Sequence, residues 1–245
     1  MTLGTISTRV RTLPGPGEVH VWCLDNSALA PEHVERLAEA LSPAERIAAS
    51  GFRDPVLGQR AVAGRAMTLA ALRSYVAEPD ARIALSRGPH GKPFIAAPET
   101  ARHVRFSVSH SDALHVVAVA IGAEVGIDVE RVRADIPFED IAALVFSANE
   151  LTALASCRAE DRVPAFFRCW TRKEAFLKAQ GVGFTKPPTE FDAGSGSRDL
   201  ATDNGPAVTS NGWTVATLDI APGYAAAVAL EGSALAVDIV TPRLT

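Results

Sequence analysis

Two short runs of this chain carry groups suited to phosphate chemistry. The first is G-I-D-V-E at residues 126–130, and the second is W-x-x-K-E-A-x-x-K at residues 170–178. Together they supply three carboxylates and two ammonium groups. A magnesium-assisted reaction at a diphosphate needs acidic oxygen ligands for the ion and cations near the phosphates. The two runs together therefore predict this chemistry, although neither run would do so alone.

The first run predicts a strand in which two carboxylates share one face. Because alternate side chains of a strand lie on the same side, Asp128 and Glu130 would point out of the core together, roughly 7 Å apart. Ile127 and Val129 would point into it. Two like charges destabilise each other unless a cation lies between them, and magnesium accepts one or two protein carboxylates together with water and phosphates. The alternative is the solvated face of a half-buried strand, which D-x-E alone would favour.

The second run predicts one stripe of a long helix. Trp170, Glu174 and Lys178 are spaced i, i+4 and i+8, so their side chains follow one another along the helix surface. A catalytic interpretation requires Glu174 to face the D-x-E carboxylates. The alternative is that Glu174 and Lys178 form a common surface pair, worth about 0.3–0.5 kcal/mol, and that Trp170 is a core residue.

Three further groups are candidates for binding phosphate. S-H-S at residues 109–111 is predicted to lie in a hairpin turn over residues 109–113, where a histidine between two hydroxyls can donate to phosphate. Arg60, near the start of a predicted helix, is either a plain surface arginine or a planar fork that clamps that anion. Lys92 adds a cation in a Gly-Lys-Pro turn, which alone says little.

The composition excludes several classes of protein. The chain has 245 residues and a formal net charge of −4, so it has no global basic field to hold nucleic acid. Its three scattered cysteines suggest neither a disulfide framework nor a zinc site. The longest apolar run, at residues 114–125, is too short to cross a bilayer, and no secretory signal is expected. We therefore expect a cytoplasmic protein that binds neither nucleic acid nor a membrane.

The chain also contains a weak internal duplication. L-S-P-A-E at residues 41–45 matches F-S-A-N-E at residues 146–150, and each is an S-x-x-E capping box that opens a helix. Further segments match in the same order at nearly the same shift. We predict two copies of one α/β unit, residues 1–122 and 123–245, packed about a pseudo-twofold axis with a cleft between them. Chance similarity of amphipathic segments is the alternative.

Secondary-structure patterns agree in the two halves. Long helices are predicted over residues 56–76 and 164–180, and hairpins over residues 102–121 and 213–230. The predicted fold class is therefore α+β, with each half a small antiparallel sheet packed against a long helix. Residues 186–211 are rich in Gly, Ser, Asp and Pro, which predicts a mobile loop.

At these residues the chain resembles the 4′-phosphopantetheinyl transferases, in particular the larger type that activates surfactin synthetase. The resemblance extends from about residue 41 to about residue 184. The matching motifs are L-S-P at residues 41–43 with Arg60, G-K-P at 91–93, F-S-V-S-H-S at 106–111, F-S-A-N-E at 146–150, and the two runs described first. The resemblance implies the fold of that family in a double-length, monomeric chain of two pseudo-symmetric halves.

The activity that the resemblance implies is magnesium-dependent transfer of the 4′-phosphopantetheine arm of coenzyme A. The acceptor would be a serine of an apo acyl or peptidyl carrier protein of fatty-acid, polyketide or nonribosomal peptide synthesis, and the second product adenosine 3′,5′-bisphosphate. Manganese is the alternative metal. Two other hypotheses stay open: a non-catalytic relative that binds coenzyme A or carrier proteins, and another magnesium phosphotransferase or nuclease. The net acidity argues against nucleic acid.

The resemblance also implies roles for individual residues. The implied metal ligands are Asp128, Glu130 and Glu174, and the implied catalytic residues are Glu174 and Lys178. The implied coenzyme A contacts are Arg60, Lys92, Ser109, His110, Asp128, Lys173 and Lys178, and we add Arg53 as an expectation that the resemblance itself does not imply. The N-terminal half would thus contribute to coenzyme A binding, and the C-terminal half would carry the metal and catalytic residues.

Three positions depart from the pattern of the family. Ser107 stands where many members have asparagine. Glu45 and Ala48 stand where some members have lysines that contact the 3′-phosphate of coenzyme A. Arg53 is the residue expected to replace those lysines.

Overall fold

A computed structural model of the chain describes residues 6–7, 12–27, 29–78, 82–181, 187–193, 206–209 and 212–244. The first half contains strands β1 (Ile6–Ser7) and β2 (Glu18–Asp25), helices α1 (Pro31–Glu39), α2 (Pro43–Ser50) and α3 (Pro55–Arg73), and strands β3 (Ala84–Arg87), β4 (Pro93–Ala97), β5 (Val104–Ser111) and β6 (Leu114–Ile121). The second half contains strand β7 (Val125–Arg131), helices α4 (Phe138–Val145), α5 (Ala148–Ser156) and α6 (Arg162–Gln180), and strands β8 (Pro206–Thr209), β9 (Trp213–Leu218), β10 (Tyr224–Glu231), β11 (Ala236–Val240) and β12 (Arg243–Leu244).

The two halves repeat one order of elements, a strand, three helices and then a hairpin. Both predicted capping boxes are present, at Ser42 with Glu45 and at Ser147 with Glu150. In each box the serine N–H donates to the glutamate, at 2.7 Å in α2 and 2.8 Å in α5. Because the same local signal opens the second helix of each half, the repeated order is what a duplicated unit would produce.

The strands form two four-stranded sheets and two short pairs. One sheet has the order β11-β2-β6-β5 and the other β7-β10-β9-β8, while β1 pairs with β12 and β3 with β4. All of these pairs are antiparallel except β11 with β2. The mixed α+β class predicted from the sequence is confirmed. Strand β11 lies in the sheet of the first half, so a division at residue 122 does not describe this late segment.

The first hairpin differs from its prediction. Strand β5 continues through Ser111, which is paired with Leu114, so the turn consists of Asp112 and Ala113. Asp112 has a φ of 49°, the left-handed backbone that aspartate tolerates in turns. The prediction of a turn over residues 109–113 was therefore wrong. The predicted loop at residues 186–211 lies largely outside the described residues, apart from 187–193 and 206–209.

Helix α6 packs across β7 and β10 at a very close distance. It ends at Gly181, whose φ of 65° is a left-handed cap, as the sequence predicts. At Gly126 on β7, a Cβ atom would overlap the carbonyl oxygen of Ala175 and the backbone nitrogen of Ala179. The absence of a side chain at Gly126 therefore sets the separation between this strand and this helix. No helix in the described ranges is long and apolar enough to span a membrane.

Helix α3 covers the first sheet at a buried histidine. The ring of His115 on β6 packs directly against Gly64, and its Nε2 lies 3.3 Å from the Thr68 hydroxyl. Because that hydroxyl donates to the Gly64 carbonyl at 2.9 Å, it accepts from Nε2–H. Burial, with a smaller contribution from His110, lowers the pKa of His115 to about 3. His115 is therefore a neutral packing residue at ordinary pH.

Replacing Gly126 with alanine tests the close approach of α6 to β7. We expect Gly126→Ala to lower the free energy of unfolding by about 3 kcal/mol, because backbone atoms of α6 must move. Gly51→Ala is the matched control. Gly51 has a φ of −76°, and a Cβ atom added there would touch its neighbours only at ordinary van der Waals distance. Urea denaturation measures both. Equal stability of the two variants would contradict the assigned contact.

The buried state of His115 predicts a pH dependence of stability. Below about pH 6.5 the unfolded chain protonates this histidine, whereas the folded chain does so only near pH 3. The stability that neutral His115 contributes is therefore fully present above pH 6.5. As the pH falls below this value, the free energy of unfolding decreases by up to about 1.4 kcal/mol per pH unit. Urea denaturation between pH 7.5 and 4.5 should show a shallower decline for His115→Phe. His103→Gln, at an exposed histidine, should keep the wild-type slope.

Candidate active site

A buried carboxylate on β7 connects both halves of the molecule. The ammonium of Lys178 on α6 lies 2.6 Å from Asp128 Oδ1, and the Ser109 hydroxyl on β5 donates to the same oxygen at 2.8 Å. Lys178 also donates to Ser109, at 3.0 Å. Three groups that lie far apart in the sequence therefore form a closed hydrogen-bonded triangle.

The second carboxylate oxygen of Asp128 has a different environment. Asp128 is only 3% exposed, and no hydrogen bond to its buried Oδ2 is found within the part of the chain that the structure describes. Burial raises the pKa of Asp128, although Lys178 and Ser109 act in the opposite direction. A buried, unpaired acceptor is costly, so it indicates a site kept ready for a ligand.

Glu130 and Glu174 line the same cavity as Asp128. This cavity of about 260 Å³ also includes Ser109, His110, Trp170 and Lys178. Burial raises the pKa of Glu130 and of Glu174, and the charge of Asp128 raises both further. Glu174 is thus close enough to the D-x-E carboxylates to be affected by them, which is the arrangement that the catalytic interpretation requires.

The cavity suits a hard divalent cation in its donor chemistry. Within the described part of the chain, no three His, Cys, Asp or Glu side chains are arranged as a ready-made cation cage. One reason is that the Lys178 ammonium already occupies Asp128 Oδ1, so this oxygen does not face an open cation site. The donors are nevertheless all carboxylate oxygens, one of them unpaired, and magnesium needs only one or two from the protein. The residues therefore fit the ion, while the ion itself stays a proposal.

Lys173 does not join this group. Its side chain is buried, and its ammonium donates to Glu150 Oε2 at 2.7 Å and to the Phe191 carbonyl. Glu150 is the capping residue of α5 and also accepts from the Ala193 N–H at 2.8 Å. The expected contact of Lys173 with a diphosphate would require breaking this buried pair. The structure instead makes Lys173 a link between α6, α5 and residues 191–193.

Lys92 lies beside the carboxylates in a neighbouring cavity. This cavity of about 250 Å³ includes Glu174 and Lys178. The Lys92 ammonium donates to Glu124 Oε2 at 2.5 Å and to the Ala179 carbonyl at 2.6 Å. Burial lowers the pKa of Lys92, and Glu124 opposes that shift. Lys92 is therefore close enough to contact a substrate, but it also ties the β3–β4 hairpin to the end of α6.

A third cavity, of about 450 Å³, extends from His110 into the first half. Arg60 lines it and pairs with Asp112 at 2.9 Å. His110 lines both this cavity and the carboxylate cavity, and its ring stacks on His115 with centroids 6.0 Å apart. Arg53 is exposed between α2 and α3 and lines none of these three cavities, so its expected role remains a prediction.

Three residues of the site were missed by the sequence reasoning. Arg65 lines the third cavity and donates from Nε to Glu45 Oε1 at 2.6 Å. Arg87 lines both the second and third cavities. Ser111 donates to Glu130 Oε2 at 2.7 Å. A signal existed only for Ser111, because serines at alternate positions of one strand share a face.

Comparison with known proteins agrees with this geometry. A family model described as the 4′-phosphopantetheinyl transferase superfamily matches residues 124–229, and one described as 4′-phosphopantetheinyl transferase, N-terminal, matches residues 30–122. The chain is 33% identical to 4′-phosphopantetheinyl transferase HetI of Nostoc over 69% of this chain and 71% of that protein. It is 30% identical to 4′-phosphopantetheinyl transferase psf-1 of Bacillus pumilus over 86% and 89%, respectively.

A more distant likeness extends to animals. The chain is 32% identical to the L-aminoadipate-semialdehyde dehydrogenase-phosphopantetheinyl transferase of Rattus norvegicus, over 77% of this chain and 59% of that protein. The two family models cover both halves of the chain, and the relatives share their name. The resemblance read from the motifs is therefore confirmed, and the chain belongs to the 4′-phosphopantetheinyl transferase superfamily.

Proposed function

We propose that this enzyme transfers the 4′-phosphopantetheine arm of coenzyme A to a serine hydroxyl of an apo acyl or peptidyl carrier protein. The observation that carries the proposal is the single cavity that Asp128, Glu130 and Glu174 line together with Lys178, whose ammonium pairs with Asp128. Phosphoryl transfer needs positioned cations and carboxylates more than covalent chemistry, because its transition state spreads charge over phosphate oxygens. This cavity offers both kinds of group.

Coenzyme A would extend across the three cavities. The diphosphate would lie at the carboxylate cavity, where Lys178, Ser109 and His110 can donate to its oxygens. The larger cavity beyond His110 would take the nucleoside end, and Arg60 and Arg65 lie on its wall. Both cavities include His110, so one continuous ligand can occupy both.

The proton of the carrier serine would go to Glu174. The serine oxygen attacks the phosphorus that bears the pantetheine arm, and the bond to the adenylate-side phosphate breaks, which releases adenosine 3′,5′-bisphosphate. Burial and the charge of Asp128 raise the pKa of Glu174, which makes its carboxylate a stronger base. Lys178 would donate to the departing phosphate, because its ammonium already lies at the cavity wall.

Magnesium, or manganese, would be held by Asp128, Glu130 and Glu174. When bound, the ion supplies positive charge that withdraws electron density from the diphosphate. Asp128 Oδ2 is a buried carboxylate oxygen without a hydrogen-bond partner among the described residues, and it is the first candidate ligand.

Mass spectrometry of carrier proteins tests the function directly. The chain is incubated with coenzyme A, magnesium and several apo carrier proteins, and a gain of one phosphopantetheine arm is expected. We expect Glu174→Gln to slow this transfer by about 100- to 10,000-fold, because the base is lost. Glu160→Gln is the control, since Glu160 is an exposed glutamate in the turn before α6.

Two outcomes would contradict the proposal. No mass gain on any carrier, together with binding of coenzyme A, would favour the non-catalytic relative. Transfer by Glu174→Gln at the rate of the Glu160→Gln control would remove Glu174 from the roles of base and ligand.

The two lysines of the α6 run should respond differently to substitution. Lys178→Met should slow transfer by about 100-fold or more, because a cation at the phosphates is lost. Lys173→Met should instead lower the free energy of unfolding by about 3–5 kcal/mol, because it leaves the carboxylate of Glu150 buried without its cation. Transfer kinetics and urea denaturation are measured on both.

A double substitution provides the control for the buried pair. Glu150→Gln combined with Lys173→Met removes both charges, so it should recover part of the stability that Lys173→Met loses. Loss of transfer by Lys173→Met at unchanged stability would show instead that Lys173 contacts the substrate.

A further inference from the structure

Serine side chains join the two sheets at the cleft. Strand β5 is the last strand of one sheet and β7 the first of the other, and the two strands lie side by side. Ser107, Ser109 and Ser111 occupy alternate positions of β5, so they share the face that meets β7. Each of them makes a hydrogen bond to β7. We call these three residues the serine stripe.

The members of the serine stripe make different bonds. The Ser107 hydroxyl accepts from the Ile127 N–H at 3.2 Å. The Ser111 hydroxyl accepts from the Arg131 N–H at 3.0 Å and donates to Glu130 Oε2 at 2.7 Å. Both serines therefore satisfy a backbone N–H of β7, but only Ser111 also holds a carboxylate.

The orientation of the Ser111 hydroxyl is fixed by the backbone. A serine hydroxyl has one hydrogen, so once its oxygen accepts from Arg131, its hydrogen is left for Glu130. Glu130 Oε2 is thereby held at a set position relative to β7. No hydrogen bond to Glu130 Oε1 is found among the described residues, and the Glu130 side chain lines the cavity that Asp128 and Glu174 also line.

We propose that Ser111 is a positioning residue, which holds the Glu130 carboxylate in the orientation that binds the divalent cation. The proposal rests on the function proposed above. A hydrogen-bonded partner behind a carboxylate ligand restricts its rotation and sets which oxygen faces the ion. The parallel contact from Ser109 to Asp128 gives the neighbouring carboxylate the same kind of support.

Binding of Mn²⁺ to the protein alone tests the proposal without a measurement of catalytic activity. Free Mn²⁺ is followed by electron paramagnetic resonance during titration of wild type, Ser111→Ala, Ser111→Thr and Ser107→Ala. We expect Ser111→Ala to weaken Mn²⁺ binding by about 10- to 100-fold. Ser111→Thr keeps the hydroxyl and should bind as wild type does.

Ser107→Ala is the matched control. It removes the same kind of bond to a backbone N–H of β7 but no bond to a carboxylate. We expect its Mn²⁺ affinity to equal that of wild type, even though Ser107 is buried and Ser107→Ala should lose at least as much stability in urea as Ser111→Ala. Equal loss of Mn²⁺ affinity in both variants would show that the serines act only by joining the sheets, and would overturn the proposal.

The carrier-protein assay separates this proposal from the proposed function. If wild type modifies a carrier while Ser111→Ala binds Mn²⁺ as wild type does, only the positioning role is wrong. If wild type modifies no carrier but Ser111→Ala still weakens Mn²⁺ binding, the positioning role stands and the proposed function fails. In the transfer assay we expect Ser111→Ala to need a higher magnesium concentration than wild type for half-maximal rate.

Discussion

The bond between Asp128 and Lys178 is the interaction on which the rest of the site depends. It joins the first strand of the second sheet to the long helix, and through Ser109 it reaches the first sheet. A carboxylate this deeply buried is unfavourable unless it is paired, and Asp128 has partners for only one of its two oxygens. The fold therefore keeps a buried carboxylate oxygen without a hydrogen-bond partner from the described residues at the junction of its halves. Such an arrangement favours a ligand that brings both positive charge and phosphate oxygens, as a metal-bound diphosphate does.

The close approach of α6 to β7 makes that bond possible. Because Gly126 has no side chain, the backbone of α6 lies directly over β7 at Ala175 and Ala179. Glu174 and Lys178, which directly precede these two residues, line the same cavity as the carboxylates of β7. The matched segment of the first half has Val21 where the second has Gly126, and Cys23 where it has Asp128. The first half thus lacks the counterparts of Gly126 and Asp128, although Asp25 stands where the second half has Glu130. It contributes cavity walls and arginines, whereas the second half contributes the acidic groups.

Much of this could be predicted from the sequence, and the exceptions share one cause. The capping boxes and the long helices follow from local spacing, which a single sequence contains. The convergence of Glu174 with Asp128 is a tertiary contact, which the catalytic interpretation required and local spacing alone left open. The buried pair that Lys173 forms was not predicted, because its partner Glu150 lies on another helix and helical spacing cannot show which flank is buried. The turn was misjudged because S-H-S is polar, and polar residues usually indicate solvent. These serines instead form hydrogen bonds with β7, and local sequence does not reveal a tertiary contact of this kind.

The serine stripe places hydroxyl groups between the two sheets, which a single continuous sheet would not do. If β5 and β7 shared a main-chain ladder, their side chains would point above and below the sheet, and no hydroxyl would lie between the strands. Side-chain bridges set the strands farther apart and place hydroxyls beside Asp128 and Glu130. The same bonds therefore hold the halves together and orient the acidic groups. Since each bond is only a modest contribution to stability, the main consequence of Ser109 and Ser111 is the orientation of the Asp128 and Glu130 carboxylates rather than the strength of the junction.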